Sequence, residues 1–384
     1  MIYFDNSATT KPYKEVIDSF VKISLNYFGN PSSLHKLGGV SEQLLSQARK
    51  QVAQLLKVRS TEILFTSGGT EGNNLAIKGS AMMYRTRGTH LITTEIEHAS
   101  VKEAMEQLKD WGYEITYLPV NQDGRVDVAQ LEKAIRPDTI LVSIIHVNNE
   151  VGTIQPVEEI GELLGKYPKI IYHVDYVQGV GKVPLDLHGC GIDLCSISGH
   201  KFHGLKGTGA LFIREGLQIS PLFSGGSQEN NVRSGTENVA GMVAMAKALR
   251  LTIEQQSKHK NALEELKEYL RLKLEGLPHV TIHSPRVESA PHIVNFSIKG
   301  LKGEIIVHAL EEKGIFISTT SACSSKQSSV SETLLAMGIP ADVAKSSVRV
   351  SLSYENTIEE AKFFVKAVQE TINQLGEVIN RHEL

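Results

Sequence analysis

Three polar side chains, Asp175, Gln178 and Lys201, stand where two apolar runs give way to polar sequence. The run Ile170–Val174 delivers Asp175 and Gln178, and the run Ile192–Ile197 delivers Ser198, Gly199, His200 and Lys201. Runs of that length predict buried strands. In an open α/β sheet, the loops beyond the carboxyl ends of parallel strands converge on one crevice. A carboxylate and a lysine 26 positions apart can therefore meet in one site. A lysine flanked by Gly, Ser and His after a buried strand is suited to form a Schiff base with an aldehyde cofactor. Pyridoxal phosphate (PLP) needs such an amine, plus an acid that keeps its ring nitrogen protonated so that the ring draws in electrons. The same residues also fit a helix-capping Asp175 and a solvent-facing Lys201, and this stretch alone leaves both readings open.

A second stretch could bind the phosphate. Ile63–Thr66 reads as a short buried strand, residues 67–70 (Ser-Gly-Gly-Thr) as a turn, and Glu71 onward as a helix. Free N–H groups and the positive end of a helix attract an anion there, and glycines let it approach closely. A plain strand-to-helix turn would use the same residues. His98 lies at another strand-to-helix junction, where it could face a ligand or merely cap the helix. Cys323 sits among Ser321, Ala322, Ser324 and Ser325. The stretch from Ser318 to Ser331 has little to pack, which predicts a mobile loop suited to a travelling thiol. Cys190 and Cys195 belong to or flank an apolar run and read as buried and inert.

The elements that must carry these residues follow from the pattern. A helix runs from Pro12 to about Tyr27, FGNPSSLHKLG is a loop, and Ser41–Leu56 has helical spacing. Strands at Leu91–Thr93, Glu114–Val120 and from Ile140 alternate with helices at Ala99–Trp111, Val128–Ile135 and Val157–Leu164. This alternation predicts an α/β fold, a mostly parallel sheet with helices on both faces. From about Met242 to Leu277 the pattern is almost continuously helical. Strands at His292–Ile298, Ile315–Thr320 and Ser347–Tyr354, with helices at Glu304–Lys313 and Thr357–Val378, then predict a smaller α+β domain. The expected division is a large domain at 12–258 and a small one made of 1–11 and 259–384, carrying the Cys323 loop.

Composition narrows the classes. The chain has 384 residues, 41% hydrophobic and 22% charged, with a net charge of −3. That is the balance of a globular protein of two or three domains. It carries no long basic run to attract nucleic acid or an anionic membrane. No apolar stretch approaches the ~20 residues that span a bilayer. The N-terminal residues lack signal-peptide character, so a cytoplasmic location is expected. Three cysteines without a CxxC pair argue against a disulfide framework and a metal site.

Taken in order, FDNSATT, FGNPSS, FTSGGTEGNN, EHASV, HVNNEVG, HVDYVQ, SGHKFHGLKGTGAL, RSGTEN, SACSS and VRVSLS carry a resemblance over essentially the whole length. The chain resembles the cysteine desulfurases of the IscS/NifS-like group, within the class V aminotransferase superfamily. The resemblance implies the PLP-dependent fold type I and conversion of L-cysteine to L-alanine. Lys201 would hold PLP, Asp175 its ring nitrogen and Gln178 its ring hydroxyl. His98 would stack on the ring and shuttle protons, and Gly69, Thr70, Ser198 and His200 would hold the phosphate. Thr236 would reach the phosphate of a partner subunit in a homodimer. Asn149 and Arg349 would bind the substrate carboxylate, Arg349 through paired hydrogen bonds. Cys323 would carry sulfur as a persulfide to an acceptor protein, an iron–sulfur scaffold or a tRNA thiolation enzyme. A selenocysteine lyase or an aminotransferase of the same fold is the alternative. The sequence departs from the family at STTSAC and at Tyr176-Val177, where Ala-Thr is common, and neither touches a proposed chemical group; FHGLKG lacks the proline of the common YGPKG.

Overall fold

The structure, a computed structural model, describes residues 1–259, 261–319 and 330–375. In chain order its strands are β1 (Ile2–Tyr3), β2 (Ile63–Thr66), β3 (His90–Thr94), β4 (Glu114–Leu118), β5 (Thr139–Ile145), β6 (Ile171–Asp175) and β7 (Leu194–Ser198). They continue with β8 (Gly209–Ile213), β9 (Val280–Ile282), β10 (Ile293–Ile298), β11 (Ile315–Phe316), β12 (Ser318–Thr319) and β13 (Ser347–Ser351). Seven of them form one sheet in the order β2-β8-β7-β6-β5-β3-β4. The pairs from β4 to β7 are parallel, while β8 runs antiparallel to both β7 and β2. The sheet is thus mostly parallel, as its alternating pattern predicts, with one reversed strand near its edge.

Strands β5, β6 and β7 are buried along their whole length because helices cover both faces. Val174 and Ile197 pack on one face with Val52 and Ala248, from helices Lys36–Leu55 and Val239–Lys258. Leu91 and Leu194 pack on the other with Leu75 and Val101, from helices Gly69–Tyr84 and Ala99–Asp110. Residues 145, 175 and 196 are in register at the carboxyl ends of β5, β6 and β7, so the loops that follow open side by side.

A second sheet, β12-β13-β10-β9, is antiparallel. Its core joins Leu270, Phe296, Val348 and Phe364 with Phe4 from the N-terminal segment. That segment pairs β1 with β11 in parallel and bridges Asp5 to Ser351. Among the described residues, no helix is long and apolar enough to cross a membrane.

Several boundaries differ from the sequence pattern. The helix expected from Ser41 starts at Lys36, where His35 Nδ1 caps the Gly38 N–H at 3.1 Å. A Cβ at Gly38 would lie 2.3 Å from the Ser33 carbonyl oxygen, so this glycine serves close packing rather than a loop. The continuous helical stretch from Met242 breaks at His259 and restarts at Ala262. The run from Ile315 divides between two sheets, because β11 pairs with β1 and β12 with β13. The ends of the expected 318–331 loop are therefore ordered parts of the fold. Ser318 pairs with Arg349, and Ser331 caps the helix Glu332–Ala336. The residues between, 320–329, lie outside the described residues, and with them the expectation for Cys323 and its loop.

Candidate active site

The carboxyl ends of β6 and β7 meet at a cavity of about 240 Å³. Ten residues singled out from the sequence line it: Gly69, Thr70, His98, Asn149, Asp175, Gln178, Ser198, His200, Lys201 and Arg349. Thr236 does not; it is exposed on a polar loop of its own chain.

Asp175 ends β6 and is held on both oxygens. Oδ1 accepts from the Val177 N–H at 3.0 Å, and Oδ2 from Asn73 Nδ2 at 2.8 Å. The other Asn73 N–H donates to Ser100 Oγ at 2.8 Å, so the Ser100 hydroxyl donates onward to His98 Nδ1, also at 2.8 Å. With Nδ1 also facing the Ser100 N–H, the neutral His98 ring carries its proton on Nε2. Burial lowers the His98 pKa; the Asp175 charge opposes this and the Lys201 charge adds to it. His98 thus both caps its helix and lines the cavity.

Lys201 closes a single 3-10 turn after β7 and is 9% exposed, not a solvent-facing charge. Its Nζ donates to the carbonyl oxygens of Ser7 and Ala8 at 2.5 and 2.9 Å. His200 is fastened to the same N-terminal segment, its carbonyl accepting from the Thr10 N–H at 2.8 Å. Burial, then the charge of Lys201, pulls the His200 pKa down to about 4.

The glycine turn has the form of an anion cradle. Gly68 (φ +153°) precedes the helix Gly69–Tyr84, whose start has no side-chain cap among the described residues. A Cβ on Gly69 would lie 2.8 Å from Val177 Cγ2, and one on Gly209 would lie 2.6 Å from Gly68 Cα. Both glycines are needed for the turn to sit between β8 and the end of β6.

Arg349, on β13, is 1% exposed. It donates to the Asn149 carbonyl at 2.8 Å and to Asp5 Oδ1 at 2.9 Å, while its Nε is buried without a partner. Burial raises the Asp5 pKa and Arg349 opposes that rise.

Sequence reasoning missed six lining residues: Ser7, Ala8, Asn73, Ser100, Ile145 and Val177. The motifs FDNSATT, EGNN and EHASV contained four of them without assigning a role. Val177 corrects an expectation, since this departure from the family pattern does touch the site, against Gly69. Cys190 and Cys195 are buried free thiols, and burial raises the pKa of both.

The profile of the Aminotransferase class-V family matches residues 2–364. This chain belongs to that family. The class-V chain is 48% identical to a protein called NifS/IcsS protein homolog in Lactobacillus delbrueckii, over 98% of this chain and 100% of that protein. It is 44% identical to a protein called cysteine desulfurase IscS in Dictyoglomus turgidum, over 97% of this chain and 95% of that protein. Among solved structures it is similar to one called NifS-like protein, with a TM-score of 0.92 and 38% identity, over 97% of this chain and 100% of that chain.

Pyridoxal phosphate is the cofactor of this class-V chain. The donor set fits it. A buried amine and a buried carboxylate share one cavity with an uncapped helix start, and Gln178 Oε1 is a buried acceptor without a partner.

Proposed function

We propose that the site converts L-cysteine to L-alanine and passes the sulfur to Cys323. The observation that carries this reading is Arg349. A buried guanidinium with an unpartnered Nε lines the same cavity as Lys201 and Asp175, as recognition of an amino-acid carboxylate requires. The relatives named cysteine desulfurase support the choice of substrate.

When bound, PLP supplies an aldehyde that condenses with amines and a protonated ring that stabilises negative charge at the substrate Cα. Lys201 holds the cofactor, Asp175 its ring nitrogen, Gln178 its ring hydroxyl, and Gly69, Thr70, Ser198 and His200 its phosphate. Asn73 keeps Asp175 oriented. Arg349 and Asn149 take the substrate carboxylate. His98, held below its ordinary pKa, is neutral at pH 7 and can accept and return a proton. The Cys323 thiolate takes the substrate sulfur as the C–S bond breaks, leaving a persulfide on Cys323, and the remaining three-carbon fragment is protonated and leaves as alanine.

The proposal includes a homodimer in which Thr236 serves the partner's phosphate site, supported by its exposure outside its own cavity. It includes division into domains at 12–258 and at 1–11 with 259–384, supported by the separate core that gathers Phe4 with residues from 263 to 372. The acceptor is a protein of iron–sulfur cluster assembly or tRNA thiolation in the cytoplasm. The test is incubation with L-cysteine and a reductant. Equal sulfide and alanine, with one added sulfur on the Cys323 peptide by mass spectrometry, are expected, and Cys323→Ser should bind cysteine yet release little sulfide. Turnover that depends on a keto acid, or normal sulfide release by Cys323→Ser, overturns the reading.

A further inference from the structure

We propose that Lys182 is a positioning residue whose buried charge sets how readily Lys201 gives up its proton. The inference rests on the reading of Lys201 as the cofactor's amine.

Lys182 lies in the turn after β6 and is 8% exposed. Its Nζ donates to the backbone carbonyl of Lys201 at 2.9 Å. Among the described residues, no carboxylate lies within ion-pair distance of it. A cation taken out of water without a counter-ion is costly. A neutral amide could make the same bond to the Lys201 carbonyl at less cost, so the bond alone does not account for a lysine here. What the amide could not supply is the charge.

The groups around it are cationic or neutral. On the β7 side it faces Lys201, and its charge also acts on His200 and His203. From the segment before β10 it acts on His292, together with Lys267 and Arg349. Lys201 in turn acts on Asp5 and His98. Burial, and then the charge of Lys201, pulls the Lys182 pKa down to about 7. A Coulomb interaction is mutual, so Lys182, while it holds its own proton, disfavours one on Lys201 to the same degree. A neighbouring cation is one of the established ways to keep a lysine unprotonated and nucleophilic.

The test uses the holoenzyme without substrate and the variants Lys182→Met, Lys182→Gln and Lys182→Arg. The readout is the pH midpoint of the bound cofactor's absorption change, with the pH dependence of PLP capture by apoenzyme alongside. Removing the charge should raise both midpoints by about one unit, a tenfold change in the proton equilibrium. Lys182→Arg should restore the parent values. Lys182→Gln separates charge from hydrogen bond, since it keeps a donor for the Lys201 carbonyl and serves if the Met variant does not fold. A Gln variant that holds cofactor with the parent's midpoint overturns the inference. Absence of any cofactor band in the parent protein would refute the reading of Lys201 instead.

Discussion

Glu97 is the neighbour of His98, and replacing it with glutamine should change how stability depends on pH. Its Oε1 accepts from Thr94 Oγ1 at 2.7 Å and from the Ile145 N–H at 2.9 Å, while Oε2 is buried without a partner. Burial, with a smaller push from Asp175, raises its pKa from 4.5 to about 8. At neutral pH Glu97 is therefore protonated. A group whose pKa rises on folding stabilises the fold fully below its unfolded value, here 4.5, and loses that contribution as pH climbs toward about 8. The shift is about 3.5 units at ~1.36 kcal/mol each, which puts the full loss at roughly 5 kcal/mol and the loss by pH 7 at roughly 3 kcal/mol. Glutamine keeps the Oε1 acceptor and cannot ionise. Urea unfolding of the cofactor-loaded parent and Glu97→Gln at steps from about pH 5 to 8.5 isolates this group, because every other titration is common to both. The variant should match or fall slightly below the parent at the acid end and overtake it as pH rises. A stability difference that stays constant across the range would show that Glu97 is already ionised at the acid end, and the reasoning would fail.

Arg349→Gln should raise KM for L-cysteine by roughly 100-fold or more, since two charged hydrogen bonds at ~1.5–3 kcal/mol each are lost; steady-state kinetics with an unchanged KM would remove the carboxylate role. The same variant should still bind PLP, read from its absorption band, because Arg349 stands apart from the glycine cradle on β13. Gly209→Ala should weaken PLP binding by roughly tenfold and cost ~1–3 kcal/mol of stability, because its Cβ would meet backbone atoms, Gly68 Cα at 2.6 Å and the Ile197 carbonyl oxygen at 2.8 Å. Unaltered cofactor affinity in a titration of the apoenzyme would show that β8 can yield.

The legible part of this protein was the part written in local pattern. β2 runs from Ile63 to Thr66 and one α-helix from Val157 to Leu164, as their apolar spacing predicts. The side chains at the ends of β6 and β7 line one cavity because the loops beyond parallel strands converge in such sheets. Other features depend on partners far away in sequence. Nothing local tells that Ile315–Phe316 pairs with residues 2–3 while Ser318–Thr319 pairs with β13. Gly38 resembles a loop glycine until the Ser33 carbonyl lies against it. Asn73 and Ser100 read as ordinary helix residues, and only folding shows them joining Asp175 to His98.

The Ser7–Thr10 contacts to the β7 turn have a consequence for biosynthesis. This strap leaves the ribosome well before β11 and Ser351, which fix it in place and are translated more than 300 residues later. At ~5–20 residues per second, it waits roughly 20–70 s for those anchors. Within that interval the nascent chain can complete its seven-stranded sheet while its lysine pocket still lacks one wall, so loading with vitamin B6 follows the synthesis of β13.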